Sequence, residues 1–393
     1  VVACASYEAR AFGVHAGMPL FQAVPLLPKD AVFLSGDHTA YGQASKAVMQ
    51  ILERFTPSVE AVSLDEAYLD MGGLERHHRS WLAAATAIHR QVREETGLSV
   101  SIGIAATRAV AKIAANLAKP TGVLEVRRGE ERAFLHGLPL EYLPGVGPRL
   151  RRDLARFNLH TIGDLAAVPS DVLEETFGRV GTAVARRARG LGSGEDDAPV
   201  GQYKPQTRSI SRETSFARDT ADERFIDAML SYLAQRAGSA LRKDGSLARA
   251  VGVRLRYADF ETVEVRRRFP RPTDSDHDIL AAVRTLWRKR YERRVALRLV
   301  GVVLHDLVEV HDRQLSLPFD SSPGAPAPAS TERPVAYGPI PSGPTDERVD
   351  RAIDRIRDRH GFGSLVRGRA VELFGRNPHS TRGFRLHTPA CSR

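Results

Sequence analysis

The spacing of apolar and polar positions divides the chain into segments of different period. Residues 1–36 mix short apolar runs with Gly13, Gly17, Pro19, Pro25 and Pro28, which predicts small helices and turns. Residues 1–5 are uniformly apolar or small and read as the middle of a strand. No charged leader or cleavage site precedes them, so a signal peptide is not expected. A helix is predicted over 40–55, stopped before Pro57. Residues 59–70 have the Val, Leu and Tyr content of a hairpin, with Asp65 and Glu66 near its middle. Over 81–95, Leu82, Ala85, Ile88 and Val92 recur at helical spacing, and Gly97 stands where a C-terminal cap belongs. Residues 98–104 alternate as a strand, 109–117 read as a helix halted by Lys119-Pro120, and 123–126 read as a strand. This alternation predicts an α/β layer from about 59 to 126.

Residues 130–192 read as all-helical, with Gly145-Val146-Gly147 and Gly178-Arg179-Val180-Gly181 each opening a helix. The stretch 193–206 is polar and turn-rich, which predicts a linker. From 207 to 310 the pattern becomes β-α-β-β-α-β, with strands near 208–216, 248–257, 261–269 and 296–308 and helices near 222–242 and 275–290. Seven prolines among Gly, Ala and Ser over 320–344 predict a disordered tether. A last helix, about 346–359, carries Val349, Ile353 and Ile356 on one face.

Composition narrows the class. With 42% hydrophobic and 26% charged residues the chain is globular, and its 393 residues suit two to four domains. No apolar run approaches the roughly 18 residues of a membrane span. Cys4 and Cys391 lie at opposite ends, which excludes a disulfide framework and a Cys-based zinc site and points to a reduced, cytoplasmic protein. The 57 Lys and Arg exceed the 47 Asp and Glu by ten. Six of those ten net charges fall in 201–312, which holds 22 basic and 16 acidic residues. Arg208, Arg212, the run Arg266-Arg267-Arg268, Arg271 and the 288–294 cluster stand there on or beside strands, a density suited to gripping a phosphate backbone without reading sequence. A solvated helix face is the plainer account of 288–294 alone.

Candidate chemistry concentrates in three places. Ser63-Leu64-Asp65-Glu66-Ala67-Tyr68-Leu69-Asp70 sets two adjacent carboxylates in an apolar hairpin; buried together they repel unless a cation compensates them. Mg²⁺ suits such a pair, because it takes one or two carboxylates and leaves room for water and phosphates. The alternative is that both acids point into solvent at a turn. In Leu143-Pro144-Gly145-Val146-Gly147-Pro148, Gly145 and Gly147 fit a helix-hairpin-helix whose amides face a phosphate. Tyr7 and Arg10 share one face of a helical turn suited to a triphosphate, and Lys119 adds a further phosphate contact. No G-x-x-x-x-G-K-[ST] and no H-E-x-x-H occurs. Gly190-Leu191-Gly192-Ser193-Gly194 lacks the context of a dinucleotide site.

Taken in order, Ser6-Tyr7-Glu8-Ala9-Arg10 with Gly13-Val14, the 63–70 motif, Ser101-Ile102-Gly103-Ile104-Ala105, Ala111-Lys112-Ile113-Ala114 with Lys119-Pro120-Thr121-Gly122, Leu143–Gly147 and Leu297–Val302 resemble the Y-family translesion DNA polymerases, most closely the bacterial DinB type. The resemblance runs from residue 1 to about 310. It implies an α/β (α+β) multidomain right hand. Its parts are fingers at 1–36 with the last strand of a palm start, palm at 37–126, thumb at 127–195, a linker at 196–206 and little finger at 207–312. A clamp-binding peptide (313–319), the tether (320–344) and a C-terminal helix and tail (345–393) follow.

The resemblance further implies that Asp65 and Glu66 hold Mg²⁺ as two ions at a primer terminus. One would activate the 3′-hydroxyl and the other would stabilise the leaving pyrophosphate. Tyr7, Arg10 and Lys119 would bind the incoming dNTP. Gly145, Gly147, Arg208, Arg212, Arg266, Arg267 and Arg268 would hold primer-template DNA. Gln314, Leu315, Leu317 and Phe319 resemble a peptide that docks on the replication sliding clamp. The implied enzyme is a monomer in the cytoplasm, acting in damage tolerance without membrane contact.

The family's palm begins with a strand bearing another metal-binding Asp and an aromatic that excludes ribonucleotides. Both belong upstream of Val1, and no residue here takes either role. Two readings follow: an active translesion polymerase whose record is incomplete, or a catalytically silent DNA- and clamp-binding accessory protein. A palm-type nucleotide cyclase is opposed by the thumb hairpin and the little finger.

Overall fold

A computed structural model describes residues 1–192, 199–201, 207–291, 295–310 and 344–375. The expected peptide at 313–319, the tether up to 343, most of the linker, 292–294 of the basic cluster and the tail from 376 lie outside the described residues. The chain divides into two compact units, Val1–Lys204 and Pro205–Arg393.

In the first unit, α1 (Tyr7–Ala11) and α2 (Leu20–Ala23) follow an extended start. Residues 1–5 form no strand: Val2 exchanges backbone bonds with Gly17 and Met18, and no ladder extends from that exchange. Helix α3 (His38–Leu52) begins earlier than expected because the Asp37 carboxylate accepts from the Thr39 and Ala40 amides. Strands β1 (Val59–Ala61) and β2 (Ala67–Leu69) pair antiparallel. After α4 (Trp81–Thr96), strand β3 (Ile102–Ile104), helix α5 (Arg108–Leu117) and strand β4 (Val123–Glu125) form a β-α-β unit with parallel strands. The expected α/β layer is therefore two short two-stranded sheets. Ile51, Leu52, Ile88 and Val92 form the core between α3 and α4; Ala84 and Ala85 of α4 are also buried, whereas Leu82 lies at the surface.

A close approach seats α5. A Cβ on Gly103 would lie 2.0 Å from the Ala111 carbonyl oxygen, so only glycine lets the helix backbone rest on β3. The far side of α5 shares its apolar residues with a helical layer of α6 (Glu131–His136), α7 (Pro148–Ala155), α8 (Ile162–Ala167) and α9 (Ser170–Ala188). Val110, Ile113, Leu135, Leu154, Ile162 and Leu165 are fully buried in that common core. One packed core thus carries both the hairpin's neighbour α5 and the glycine turns.

The second unit is a four-stranded antiparallel sheet in the order β5-β8-β6-β7. Its strands are β5 (Ser209–Thr220), β6 (Ser246–Tyr257), β7 (Thr262–Thr273) and β8 (Leu297–Glu309). Helices α10 (Glu223–Asp244) and α11 (Asp276–Arg290) cover one face around Ile226, Leu230, Val251, Val253, Ile279 and Val300. The strands and helices stand where the periodicity puts them, displaced by a few residues at their ends.

The C-terminal helix α12 (Pro344–His360) is not seated by the apolar stripe that its sequence suggests. Ile353 is buried, but Val349 and Ile356 are each 42% exposed, and the other buried positions are Asp350, Asp354 and Arg357. They meet charges on the sheet-covering helices. Arg242 donates to Asp354 at 2.6 Å and to Asp276 at 3.0 Å, and Arg357 donates to Gln235 at 2.7 Å. Arg367, beyond the helix, reaches Asp350 at 2.6 Å. Desolvated charges hold only when paired, so this network selects the buried face over hydrophobicity. The following residues return to the core through Phe362, Ala370 and Leu373, before and within the short α13 (Glu372–Gly375).

Burial pushes the Asp276 carboxyl up to about 6, against the pull of Arg242 and helped by the neighbouring Asp350. Between about pH 4 and 6 the folded unit therefore keeps a proton that the unfolded chain has released, so this group's contribution to stability falls as pH rises. Urea denaturation followed by the fluorescence of buried Trp287 is expected to show wild type losing up to about 3 kcal/mol relative to Asp276→Asn between pH 4 and 6.5. A difference that does not change with pH contradicts this account.

Candidate active site and nucleic-acid interface

The β1–β2 hairpin turns through 62–66, where the amides of Val62 and Ser63 both donate to the Glu66 carbonyl, at 2.9 and 3.2 Å. That closure puts Asp65 and Glu66 at the tip, both exposed, instead of within a ladder. Ser63 Oγ donates to Asp65 Oδ1 at 2.6 Å and fixes that carboxylate locally. Glu66 is held from outside the hairpin: Lys112 Nζ donates to both of its oxygens, at 2.8 and 2.7 Å.

One helical turn earlier on α5, Arg108 forks onto Glu60 of β1 at 2.7 and 2.9 Å. The Gly201 amide also donates to Glu60, at 3.0 Å, and the guanidinium lies 5.2 Å from the Tyr68 ring centre. The bonds from Arg108 hold the Glu60 carboxyl below its ordinary range, against its partial burial. Of two cations at i and i+4 of one helix, Arg108 thus fastens the base of the hairpin and Lys112 bonds the acid at its tip. Neither Lys112 nor Arg108 carried a role in the sequence reading; their signal was the four-residue spacing of two bases beside a motif rich in acids.

Among the described residues no group of three or more His, Cys, Asp or Glu side chains converges on one point. A site at Asp65 and Glu66 therefore offers two hard oxygen donors. That fits a small divalent cation completing its shell with water and phosphate oxygens, and it does not suit zinc or a cage of protein ligands alone.

Tyr7 and Arg10 come together on α1. Ser6 caps the helix by accepting from the Ala9 amide, and Arg10 Nε donates to the Ala5 carbonyl at 3.0 Å. The Arg10 guanidinium stands 5.2 Å from the Tyr7 ring centre, with both side chains exposed. Lys119 is exposed just past the end of α5, the helix that carries Arg108 and Lys112.

Gly145 has φ +94°, and Gly147 caps α7 with Pro148 at its first position. Both glycines are exposed while Val146 between them is buried, so the turn is anchored by its centre and presents its backbone. Gly178, φ +59°, bends α9 in the same way and makes the internal echo in the sequence a structural one.

On the second unit's sheet, Arg208, Arg266, Arg267 and Arg268 are exposed. Arg212 differs: it is 8% exposed, on the face of β5 that also buries Ile210 and Thr214, and its Nη1 donates to the Ser211 carbonyl. Burial, with Arg236 nearby, lowers its pKa. Its guanidinium serves the interior and is not available at the surface as the charge count suggested; strict alternation from Ile210 was the signal.

The sheet's charge is also partly neutralised. Glu264 accepts from Arg254 at 2.8 Å, Arg266 at 2.7 Å and His305 at 3.0 Å, and Glu213 takes the other arm of Arg254 at 2.9 Å. Burial alone would raise the Glu264 carboxyl, yet the bonds from Arg254 and Arg266 hold it below its usual range. Burial and Arg266 together depress His305.

Comparison with known proteins bears on these sites. The profile of the impB/mucB/samB family matches residues 1–116, and that of the family's C-terminal domain matches 207–317. DNA polymerase IV of Dehalococcoides mccartyi is 36% identical over 95% of this chain and 88% of the relative. That of Moorella thermoacetica is 33% identical over 95% of this chain and 87% of the relative. Among solved structures, a Y-family DNA polymerase chimera, Dbh-Dpo4(243-245)-Dbh, superposes with a TM-score of 0.66 at 24% identity, covering 77% of this chain and 86% of that one.

Because Arg108 and Glu60 are largely buried, Arg108→Ala leaves a carboxylate without its strongest partner. The substitution is expected to destabilise the first unit by about 3 kcal/mol in urea denaturation. A loss below about 0.5 kcal/mol would mean that α5 does not fasten the hairpin.

Proposed function

Since the chain belongs to the Y-family DNA polymerases of the DNA polymerase IV type, it is a template-directed translesion DNA polymerase, and we propose that Asp65 and Glu66 are its catalytic carboxylates. The observation that carries this reading is the acidic pair at the tip of a hairpin braced on α5 by Arg108 and Lys112. We assign Mg²⁺ as the cation of this site, bound as two ions. When bound, it supplies charge neutralisation at the transferring phosphoryl group and lowers the pKa of the primer 3′-hydroxyl.

The residues themselves place and hold. Asp65, fixed by Ser63, and Glu66 present oxygens toward the primer end and the α-phosphate. Tyr7 offers its hydroxyl, Arg10 its fork and Lys119 its ammonium to the dNTP triphosphate. The amides at Gly145 and Gly147, together with Arg208, Arg266, Arg267 and Arg268, grip primer-template DNA by its backbone, which leaves base identity unread and suits a damaged template.

In this reading 1–36 are fingers, 37–126 palm, 127–195 thumb and 207–312 little finger. The segment 314–319 tethers the enzyme to a sliding clamp and raises its effective concentration on DNA. The protein works as a monomer in the cytoplasm. Among the described residues no helix is long and apolar enough to cross a membrane. A silent accessory protein would have no use for the braced Asp65-Glu66 pair.

Primer extension with Mg²⁺ and dNTPs tests the assignment. Asp65→Asn and Glu66→Gln are each expected to slow nucleotide addition at least about a hundredfold with DNA affinity retained. Rates equal to wild type overturn it. Deleting 314–319 is expected to abolish clamp binding in surface plasmon resonance, and unchanged clamp affinity rejects the peptide.

A further inference from the structure

Lys112 takes no part in the phosphate, metal or DNA sets above, yet its Nζ bonds both oxygens of Glu66. Its backbone has little freedom to move. The next two residues, Ile113 and Ala114, are fully buried, and Arg108 one turn away is locked onto Glu60. The pair it forms is nevertheless half open, with side chains 35% and 46% exposed for Lys112 and Glu66. Exposed pairs of this kind add little to stability, so the fold does not depend on this one.

Its effect on charge is larger. Asp65 and Glu66 carry two negative charges at one turn, Ser63 is neutral, and Lys112 removes half of that charge. We propose that Lys112 is the resident counter-cation of Glu66: it holds the carboxylate in place before metal arrives and keeps the affinity of the free enzyme for divalent cations low. Metal loading then depends on the extra negative charge that the substrate triphosphate brings. The flexible four-carbon stem allows the ammonium to leave one oxygen as metal takes it. The inference rests on the reading of Asp65 and Glu66 as metal ligands.

The test measures Mn²⁺ binding to the full chain, free of DNA and nucleotide, by the electron paramagnetic resonance signal of unbound Mn²⁺. Lys112→Met is expected to bind Mn²⁺ roughly three- to fivefold more tightly than wild type at low salt, with the difference shrinking as salt rises. Lys112→Arg, which keeps the charge, is expected to stay within about twofold of wild type. Adding dNTP is expected to tighten Mn²⁺ binding less in Lys112→Met than in wild type, because the competitor is already gone.

Circular dichroism melts establish that each variant folds. Unchanged or weaker Mn²⁺ affinity in Lys112→Met, while Glu66→Gln weakens it, overturns the counter-cation role and leaves the metal reading standing. Unchanged affinity in both Glu66→Gln and Asp65→Asn removes the metal reading, and the counter-cation role with it.

Discussion

Two carboxylates on consecutive residues repel each other, and the first unit is organised so that this repulsion is tolerated at a defined place. The hairpin has only three paired residues on each side, a short ladder to support its tip. Its base is fastened to α5 by the Arg108 guanidinium, while the Lys112 ammonium at the tip positions the Glu66 carboxylate. Helix α5 is in turn fixed by its buried face, where Val110, Ile113 and Ala114 enter the core shared with helices α6 to α9, and by the close contact over Gly103. Packing far from the acids thus sets where their oxygens stand, as a site with exacting geometry requires.

The second unit handles charge differently. Its arginines are numerous: Arg254 and Arg266 are paired with Glu213 and Glu264, whereas Arg208, Arg218, Arg249, Arg267 and Arg271 are exposed without an ion pair among the described residues. Pairing of this kind lowers the self-repulsion that a uniformly basic sheet would carry. The cluster of Arg242, Asp276, Asp350, Asp354 and Arg357 applies the same device inside the unit, where it docks α12.

The elements that periodicity reveals were legible. The β-α-β-β-α-β order, the 59–70 hairpin and the helix over 81–96 follow from alternation, helical spacing and turn residues, which act over short distances. So did the motif residues: Tyr7 and Arg10 share a helical turn, and Gly145 takes the left-handed conformation that its turn needs. What failed depended on distant partners. Residues 1–5 have strand composition, but among the described residues Val2 pairs only with Gly17 and Met18 and no ladder follows. Helix α12 has an apolar stripe, yet charges about a hundred residues earlier in the chain decide which side is buried. Arg212 counted as one more surface cation until β5 turned it inward beside Ile210. Glu66 was visible as an acid, whereas its bond to Lys112 needed the fold that brings α5 to the hairpin.

Asp65 and Glu66 are proposed to grip the divalent cation used in nucleotide transfer. Anomalous diffraction from crystals of the protein with primer-template DNA, a non-hydrolysable dNTP analogue and Mn²⁺ tests it most directly. Mn²⁺ density is expected about 2.1 Å from carboxylate oxygens of both residues and touching the analogue's phosphates. Mn²⁺ bound to the phosphates with both carboxylates remote from it would remove Asp65 and Glu66 from the metal site.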